Sequence, residues 1–330
     1  MLPINNLSKI AIAITLTLAA PLALANSDCV KPKIKGYSHD EMVCLGENLV
    51  GAYDYNNMSG QRSITLVNKT GAVIVPKGKF VDAFSFSEGL AGVVNNAYKV
   101  GYIDKTGKVI IPPKYEPALA GEGGESFEVS PFKEGLASVA ILKKNSYGGE
   151  DSSWGFIDKN DKTIIPFKYD AAGNFGSGIA PVAVMNDSDS GYVWEYIDKT
   201  GKTAFKANYD YAGSFSDGVA VVSKNEKYGV IDTKNKVVVP FKYDYIDEFS
   251  EGLAAVFQRG KPIPNSDSIR GKFGFIDKTG KVIIPIQYDL EFYSELNLPY
   301  FNNGKAKIEL WQGEKDKSYC INKAGKKVSC

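Results

Sequence analysis

Asp104 stands in the string Tyr102-Ile-Asp-Lys-Thr-Gly-Lys-Val-Ile-Ile-Pro112. The residues Asp-Lys-Thr-Gly also open the motif in which P-type cation pumps take phosphate from ATP onto an aspartate. Three other sets carry possible chemistry. Glu88, Glu134, Asp217 and Glu251 recur before Gly-Leu-Ala-like runs, and paired carboxylates cleave glycosidic bonds. Trp154, Trp194, Tyr228 and Phe273 recur at one place in a longer pattern and offer faces on which sugars stack. The four cysteines are Cys29, Cys44, Cys320 and Cys330.

Repetition decides most of these readings. Asp-Lys-Thr-Gly returns at 198–201 and 277–280, with looser copies opening at Asn68, Asp158, Asp232 and Asn322. The seven copies are spaced by 36, 54, 40, 34, 45 and 45 residues, a period near forty that marks a repeat architecture. A phosphoryl acceptor is needed once, not seven times. Asn68 and Asn322 cannot form an acyl phosphate, the pump motif continues with Thr where Lys108 stands, and an exported chain lacks ATP. The fourth turn residue is always Gly, Asp or Asn, types that tolerate positive φ. The string therefore predicts a hairpin loop, a type I turn with a glycine-type bulge.

The positioning elements follow from the wider unit. Each opens with Phe-x-Glu/Asp-Gly-Leu-Ala-x-Val, as in Phe86–Val93, Phe132–Val139, Phe215–Val222 and Phe249–Val256; Phe175–Val182 carries Ser177 at the acidic place. A variable loop, a Gly-Tyr-Ile-Asp strand, the turn, a Val-Ile-Ile-Pro strand and a Tyr-Asp segment follow, giving three firm strands and a weaker fourth. Repetition favours turn structure for the recurring acids and core packing for the recurring aromatics. Metal binding is not expected from one histidine, His39, and no Cys-x-x-Cys pair. No triad can be built on His39, and neither a catalytic residue nor a cofactor is assigned.

The unit Glu-Gly-Leu-Ala-x-Val … Trp154-Gly155-Phe-Ile-Asp … Ile-Ile-Pro-x-x-Tyr-Asp resembles the WG-repeat (KWG) family of bacterial β-repeat proteins, over roughly residues 62–330. The namesake dipeptide occurs once; elsewhere Val100-Gly101, Trp194-Glu195, Tyr228-Gly229 and Phe273-Gly274 take its place. The resemblance implies a binding or scaffold repeat and supplies no catalytic residues.

The chain has 330 residues, 39 basic and 38 acidic, a balance that points to neither nucleic acid nor an anionic membrane. Lys9, the apolar run Ile10–Leu24 and Ala23-Leu24-Ala25 read as a signal peptide over 1–25, with an uncleaved anchor as the alternative. No later stretch is apolar enough to span a membrane. Export to the periplasm or beyond predicts paired cysteines. Local links Cys29–Cys44 and Cys320–Cys330 compete with links that join the two ends.

The expected fold is all-β: a capping segment over 26–61, then about seven tandem β-hairpin units over 62–330. A β-propeller-like ring is favoured, with an open β-solenoid as the alternative. The inter-strand loops 143–153, 185–192 and 258–272 share one slot and should gather on one edge. Tyr147, Tyr192 and Trp311 are the candidate contacts there. The run 186–190 is too irregular for a calcium loop. The expected function is a non-enzymatic binding or scaffold module for a protein or an envelope glycan. A polysaccharide hydrolase and a structural envelope component are the alternatives.

Overall fold

The computed structural model describes residues 29, 31–38, 41–55, 62–120, 126–145, 148–186, 191–262, 268–292, 296–310 and 317–330. The expected signal peptide, His39, Tyr147, residues 187–190 and Trp311 lie outside them. The β-branched and aromatic runs form antiparallel strands throughout, with no helix among the described residues.

Seven sheets follow one another. The first pairs Met42–Gly46, Leu49–Tyr55, Arg62–Asn68 and Val73–Phe80 in that order. The second pairs Asp82–Ala83, Leu90–Val94, Val100–Asp104 and Val109–Tyr115. A small hairpin, Ala118–Ala120 with Ser126–Glu128, precedes the third sheet of Leu136–Lys144, Glu150–Asp158 and Thr163–Tyr169. The fourth contains Ala171–Ala172, Ile179–Met185, Tyr192–Asp198 and Thr203–Ala207; the fifth, Tyr211–Ala212, Val219–Lys224, Lys227–Asp232 and Val237–Tyr243. The sixth contains Tyr245–Ile246, Leu253–Arg259, Ile269–Asp277 and Val282–Phe292; the seventh, Lys305–Leu310, Lys317–Asn322 and Lys327–Val328. The weak fourth strand expected from the Tyr-Asp segment is the two-residue inner strand of the next sheet, as where Tyr245 and Ile246 pair with Phe257 and Val256. In the third sheet it shrinks to one bridge, Glu116 to Ala140.

The glycine after the recurring aromatic has a backbone reason. At Gly155 the two outer strands skip register, and a Cβ there would lie 2.7 Å from the Ile165 carbonyl oxygen. The same place at Gly101 is closed by Ile111 and Pro113 at 2.6 Å. Each such glycine has a proline eleven residues on: Pro112, Pro166, Pro240 and Pro285. The fourth sheet carries Glu195 and Lys206 instead, and those two residues pair in unbroken register. Gly-with-Pro thus accompanies a skip at this place and Glu-with-Lys its absence, the fourth sheet shifting only further on, between Tyr196 and Ile197; the first sheet skips with Thr65 and Pro76.

Cores form between consecutive sheets. The phenylalanine opening one unit packs edge-on against an aromatic of the unit before it: Phe132 on Tyr102, Phe175 on Phe156, Phe215 on Tyr196 and Phe301 on Phe275, with centroids 4.9–5.0 Å apart. Such pairs contribute about 0.5–1.5 kcal/mol each beyond their burial. Tyr102 also donates to the Ser130 carbonyl at 2.8 Å.

The array curls about an axis. Lys133 and Glu128, leading into the third sheet, lie near enough to act electrostatically on Glu248, between the first two strands of the sixth. The two ends are finished separately. On the first sheet, Met42, Val50, Ala52 and Val67 pack under Cys29, Ile34 and Tyr37, held by the disulfide Cys29–Cys44. On the seventh, Ala306 and Ile308 face the sixth sheet, while Lys307 and Glu309 point outward and pair at 2.6 Å. The second disulfide is Cys320–Cys330, so both links are local. Among the described residues no strand pairing and no core cluster joins the first sheet to the last. The fold is propeller-like, and among the described residues no strand pairing closes one end onto the other.

Candidate functional site

The turn edge consumes the residues that suggested chemistry. Asp104 Oδ1 accepts from Thr106 N at 2.8 Å, Thr106 Oγ1 at 2.7 Å and Lys108 N at 3.1 Å. Gly107, at φ 78°, donates its N–H to the Asp104 carbonyl. Those hydrogen bonds, led by the Thr106 hydroxyl, hold the carboxyl below its ordinary range. Asp198 and Asp277 repeat the arrangement, and Asn68 does so as an amide. The expected type I turn with its glycine bulge is the one observed.

The recurring acids sit in left-handed turns, at φ 53° for Glu88 and Glu134. Each reaches the turn lysine of the next sheet: Glu88 to Lys159 and Glu134 to Lys199 at 3.1 Å, Asp217 to Lys278 at 2.8 Å, Glu251 to Lys323 at 3.0 Å. Glu88, Glu134 and Glu251 also accept the N–H of the next unit's Gly135, Gly178 and Gly304. Burial opposes the Glu88 charge, but the Lys159 and Gly135 hydrogen bonds outweigh it and keep the carboxyl below its ordinary range. Where the acid is missing, at Ser177, the next turn carries Thr233 instead of lysine. Both halves of this clamp are lost at one interface, so the acids serve the fold.

The recurring aromatics are occupied too. Trp194, Tyr228 and Phe273 are buried and Trp154 is half-buried, so none presents a free face to a sugar. Where a lysine precedes the recurring place, before Val100, Tyr228 and Phe273, it pairs with the Tyr-Asp or Tyr-Glu acid: Lys99 with Glu116 at 2.5 Å, Lys227 with Asp244 at 2.6 Å and Lys272 with Asp289 at 2.7 Å. Asp170, Asp210 and Asp244 each accept a backbone N–H at the start of a variable loop, from Met185, Asn225 and Arg259. These contacts fix the loop edge, opposite the turns.

On that edge Tyr192 is exposed, and it is not alone. Met185 pairs with Tyr192 and Val184 with Val193 at the end of one hairpin, and all four are between 42% and 55% exposed. Adjacent strand positions face opposite sides, so this hairpin end is apolar on both faces. Tyr147 and Trp311 fall outside the described residues.

A third group escaped the repeat-based reading because it breaks the repeat. The place before the opening phenylalanine holds Ser85, Pro131, Asn174, Ser214, Glu248 and Tyr300 in turn. Only the sixth unit puts a carboxylate there, next to Asp247, and Glu128 approaches from the extra hairpin. Glu248 keeps part of its surface open while protein encloses it on most sides. Burial first, and then Asp247, pushes its carboxyl up to about 8, with Lys133 opposing. Burial likewise raises Asp247 to about 6 and Glu128 to about 7. Burial thus shifts all three carboxyls toward the protonated form, Glu248 the furthest. Among the described residues no three His, Cys, Asp or Glu side chains gather to hold a metal.

Comparison with known proteins agrees with this architecture. The chain resembles, in fold alone, a eukaryotic initiation factor (12% identity, TM-score 0.51, 85% of this chain and 74% of the other). It is similar in the same sense to an acylaminoacyl peptidase of Pyrococcus horikoshii (12%, 0.50, 86% and 50%) and a puromycin hydrolase (9%, 0.50, 88% and 53%). It therefore spans about half the length of those two enzymes. A sequence search of curated proteins returns no match. The model of the WG-containing repeat matches residues 64–98, 101–118, 154–186, 196–228, 228–261 and 273–310, more than half of the chain. The bulge glycine and the Asp- or Asn-led turn give recurring parts of that pattern a physical reason, and the chain belongs to the WG-containing repeat family.

Proposed function

We propose that the chain is an exported, non-enzymatic β-repeat protein that binds a protein or an envelope glycan through its inter-strand loops. The observation that carries this reading is a division of labour among side chains. The repeated acids, the clamp lysines and the aromatics are engaged in turns, clamps and cores, whereas Val184, Met185, Tyr192 and Val193 form an exposed apolar cluster on one loop end. Clustered exposed apolar side chains on a rigid scaffold favour recognition. Two disulfides favour an oxidising compartment.

The test places a photo-crosslinking amino acid at 192, and in a control at Thr106 on the turn edge, in cells making the protein. An adduct specific to 192 that disappears when Val184, Met185 and Val193 are changed to serine is the expected result. Equal adducts at both positions, or none at 192, overturn the reading.

A second reading, a polysaccharide hydrolase, is favoured by one observation, the axial group Glu128, Asp247 and Glu248, in which carboxyls of raised pKa resemble general acids. Release of reducing ends that Glu128→Gln and Glu248→Gln abolish, in variants that remain folded, would establish it in place of the first.

A further inference from the structure

The near-zero net charge conceals a segregation that the fold makes spatial. Each unit runs from its turn into the outermost strand of its sheet: residues 69–80, 105–115, 159–169, 199–209, 233–243, 278–292 and 323–330. These segments contain twenty lysines, no arginine and three acids, Asp161, Asp289 and Glu291, of which Asp289 and Glu291 pair with Lys272 and Arg270 of the neighbouring strand. The five aspartates that open turns bring the acids to eight, and their Oδ1 atoms accept the turn hydrogen bonds. Six of the lysines form ion pairs: Lys77, Lys114, Lys159, Lys199, Lys278 and Lys323. The other fourteen form none among the described residues. Lys108, Lys162, Lys202, Lys236, Lys281 and Lys326 occupy one place in the repeat, directly after the fourth turn residue, and all are exposed. Because the array curls about an axis with these strands on the far side from it, the lysines form a basic belt around the outer rim.

Lysine also keeps exposed edge strands from pairing with one another. That role does not require a single sign of charge, and the outer strands already carry Pro76, Pro112, Pro166, Pro240 and Pro285, which blunt edges by themselves. The excess of one sign remains to be accounted for.

We propose that the outer rim binds a linear anionic polysaccharide, one anionic stretch per unit, independently of the loop edge. Charge complementarity carries the assignment. Lysine is a hydrated point charge without the bidentate fork of arginine, which suits a flexible polyanion more than a phosphate held in fixed geometry. The strand tyrosines Tyr115, Tyr169, Tyr243 and Tyr288 are buried, and the half-buried Phe167, Phe205, Tyr209 and Phe241 are packed against other rings, so these rings do not form the open aromatic platform that single-stranded nucleic acid uses. A flat bilayer meets a curved rim at only one or two units, whereas a flexible chain follows it.

The experiment measures binding of the purified protein to polygalacturonate, with neutral dextran, phosphatidylglycerol vesicles and a single-stranded oligodeoxynucleotide as competitors, between 25 and 300 mM NaCl, concentrations chosen at roughly the span over which screening changes most. Expected are binding at low salt that weakens at least about tenfold across that range, no effect of dextran, and a further loss of about tenfold or more when the six equivalent lysines become glutamine. The six-fold arginine variant keeps the charge and should retain binding, which separates lost charge from lost folding. Absence of binding at low salt, or equal binding by a folded glutamine variant, overturns the proposal. Stronger competition by vesicles or by the oligonucleotide at equal charge also overturns it, and reassigns the rim to a lipid surface or to nucleic acid.

Discussion

Replacing Glu248 by glutamine should stabilise the protein, and increasingly so as the pH rises. The carboxyl is pushed up to about 8 from an ordinary 4.5, first by burial and then by Asp247. Between those two values the unfolded chain has released a proton that the folded chain retains. The folded state therefore loses stability as pH rises through this window, by at most about 1.4 kcal/mol per pH unit. The contribution is fully present below pH about 4.5 and gone above about 8. Glutamine imitates the protonated acid and does not titrate. Solvent reaches part of Glu248 and screens it, so the advantage of Glu248→Gln should be near zero at pH 5 and about 1–2 kcal/mol at pH 8. For a chain of this size that is a rise of several degrees in the thermal midpoint, roughly 2–4 °C per kcal/mol. Circular dichroism melts of both proteins at pH 5, 6, 7 and 8 make the comparison. Parallel profiles with a constant offset, or a variant less stable at pH 8, would refute a buried, proton-holding carboxyl at the axis.

Three further outcomes test the repeat logic. Gly155→Ala should cost about 2–4 kcal/mol in urea unfolding, since its Cβ would meet the Ile165 carbonyl oxygen at 2.7 Å and the neighbour is backbone; Glu195→Ala, in the straight register of the fourth sheet, should cost less than about 1 kcal/mol. Installing the missing clamp with Ser177→Glu and Thr233→Lys together should add a few tenths of a kcal/mol, on the order of 0.5, visible as a positive coupling in a double-mutant cycle that vanishes in high salt. Tyr115→Phe should cost about 1 kcal/mol because its hydroxyl donates to Asp161 at 2.7 Å. Tyr169→Phe should be neutral or stabilising, since the Tyr169 hydroxyl is buried without a partner among the described residues; the equivalent Tyr115 and Tyr209 use the fourth turn residue of the next unit, Asp161 and Asn235, and that residue for Tyr169 is Gly201.

The sequence alone determined whatever is local and repeated. Seven Asp- or Asn-led turns needed only the preference of their fourth residue for positive φ and of their first for its own backbone. The strands needed only alternating β-branched and aromatic runs, and the demotion of Asp104 from phosphate acceptor to turn residue needed only counting. The local disulfides were open as alternatives, and the structure selected them because Cys29 lies over the first sheet beside Cys44. Tertiary structure alone decided the partners across units. Glu88 meets Lys159 although 71 residues separate them, and the matched loss of acid and lysine at Ser177 and Thr233 has meaning only once the two turns are adjacent. The bulge that demands Gly155 depends on a partner strand whose register the residue types do not specify. The axial carboxyls were hidden for the opposite reason. Glu248 follows no period, and only the curl of the array brings Glu128 and Lys133 to it. The basic rim was written in the sequence as lysines after each turn, but their charges balanced to nearly zero until the fold placed twenty of them on one side.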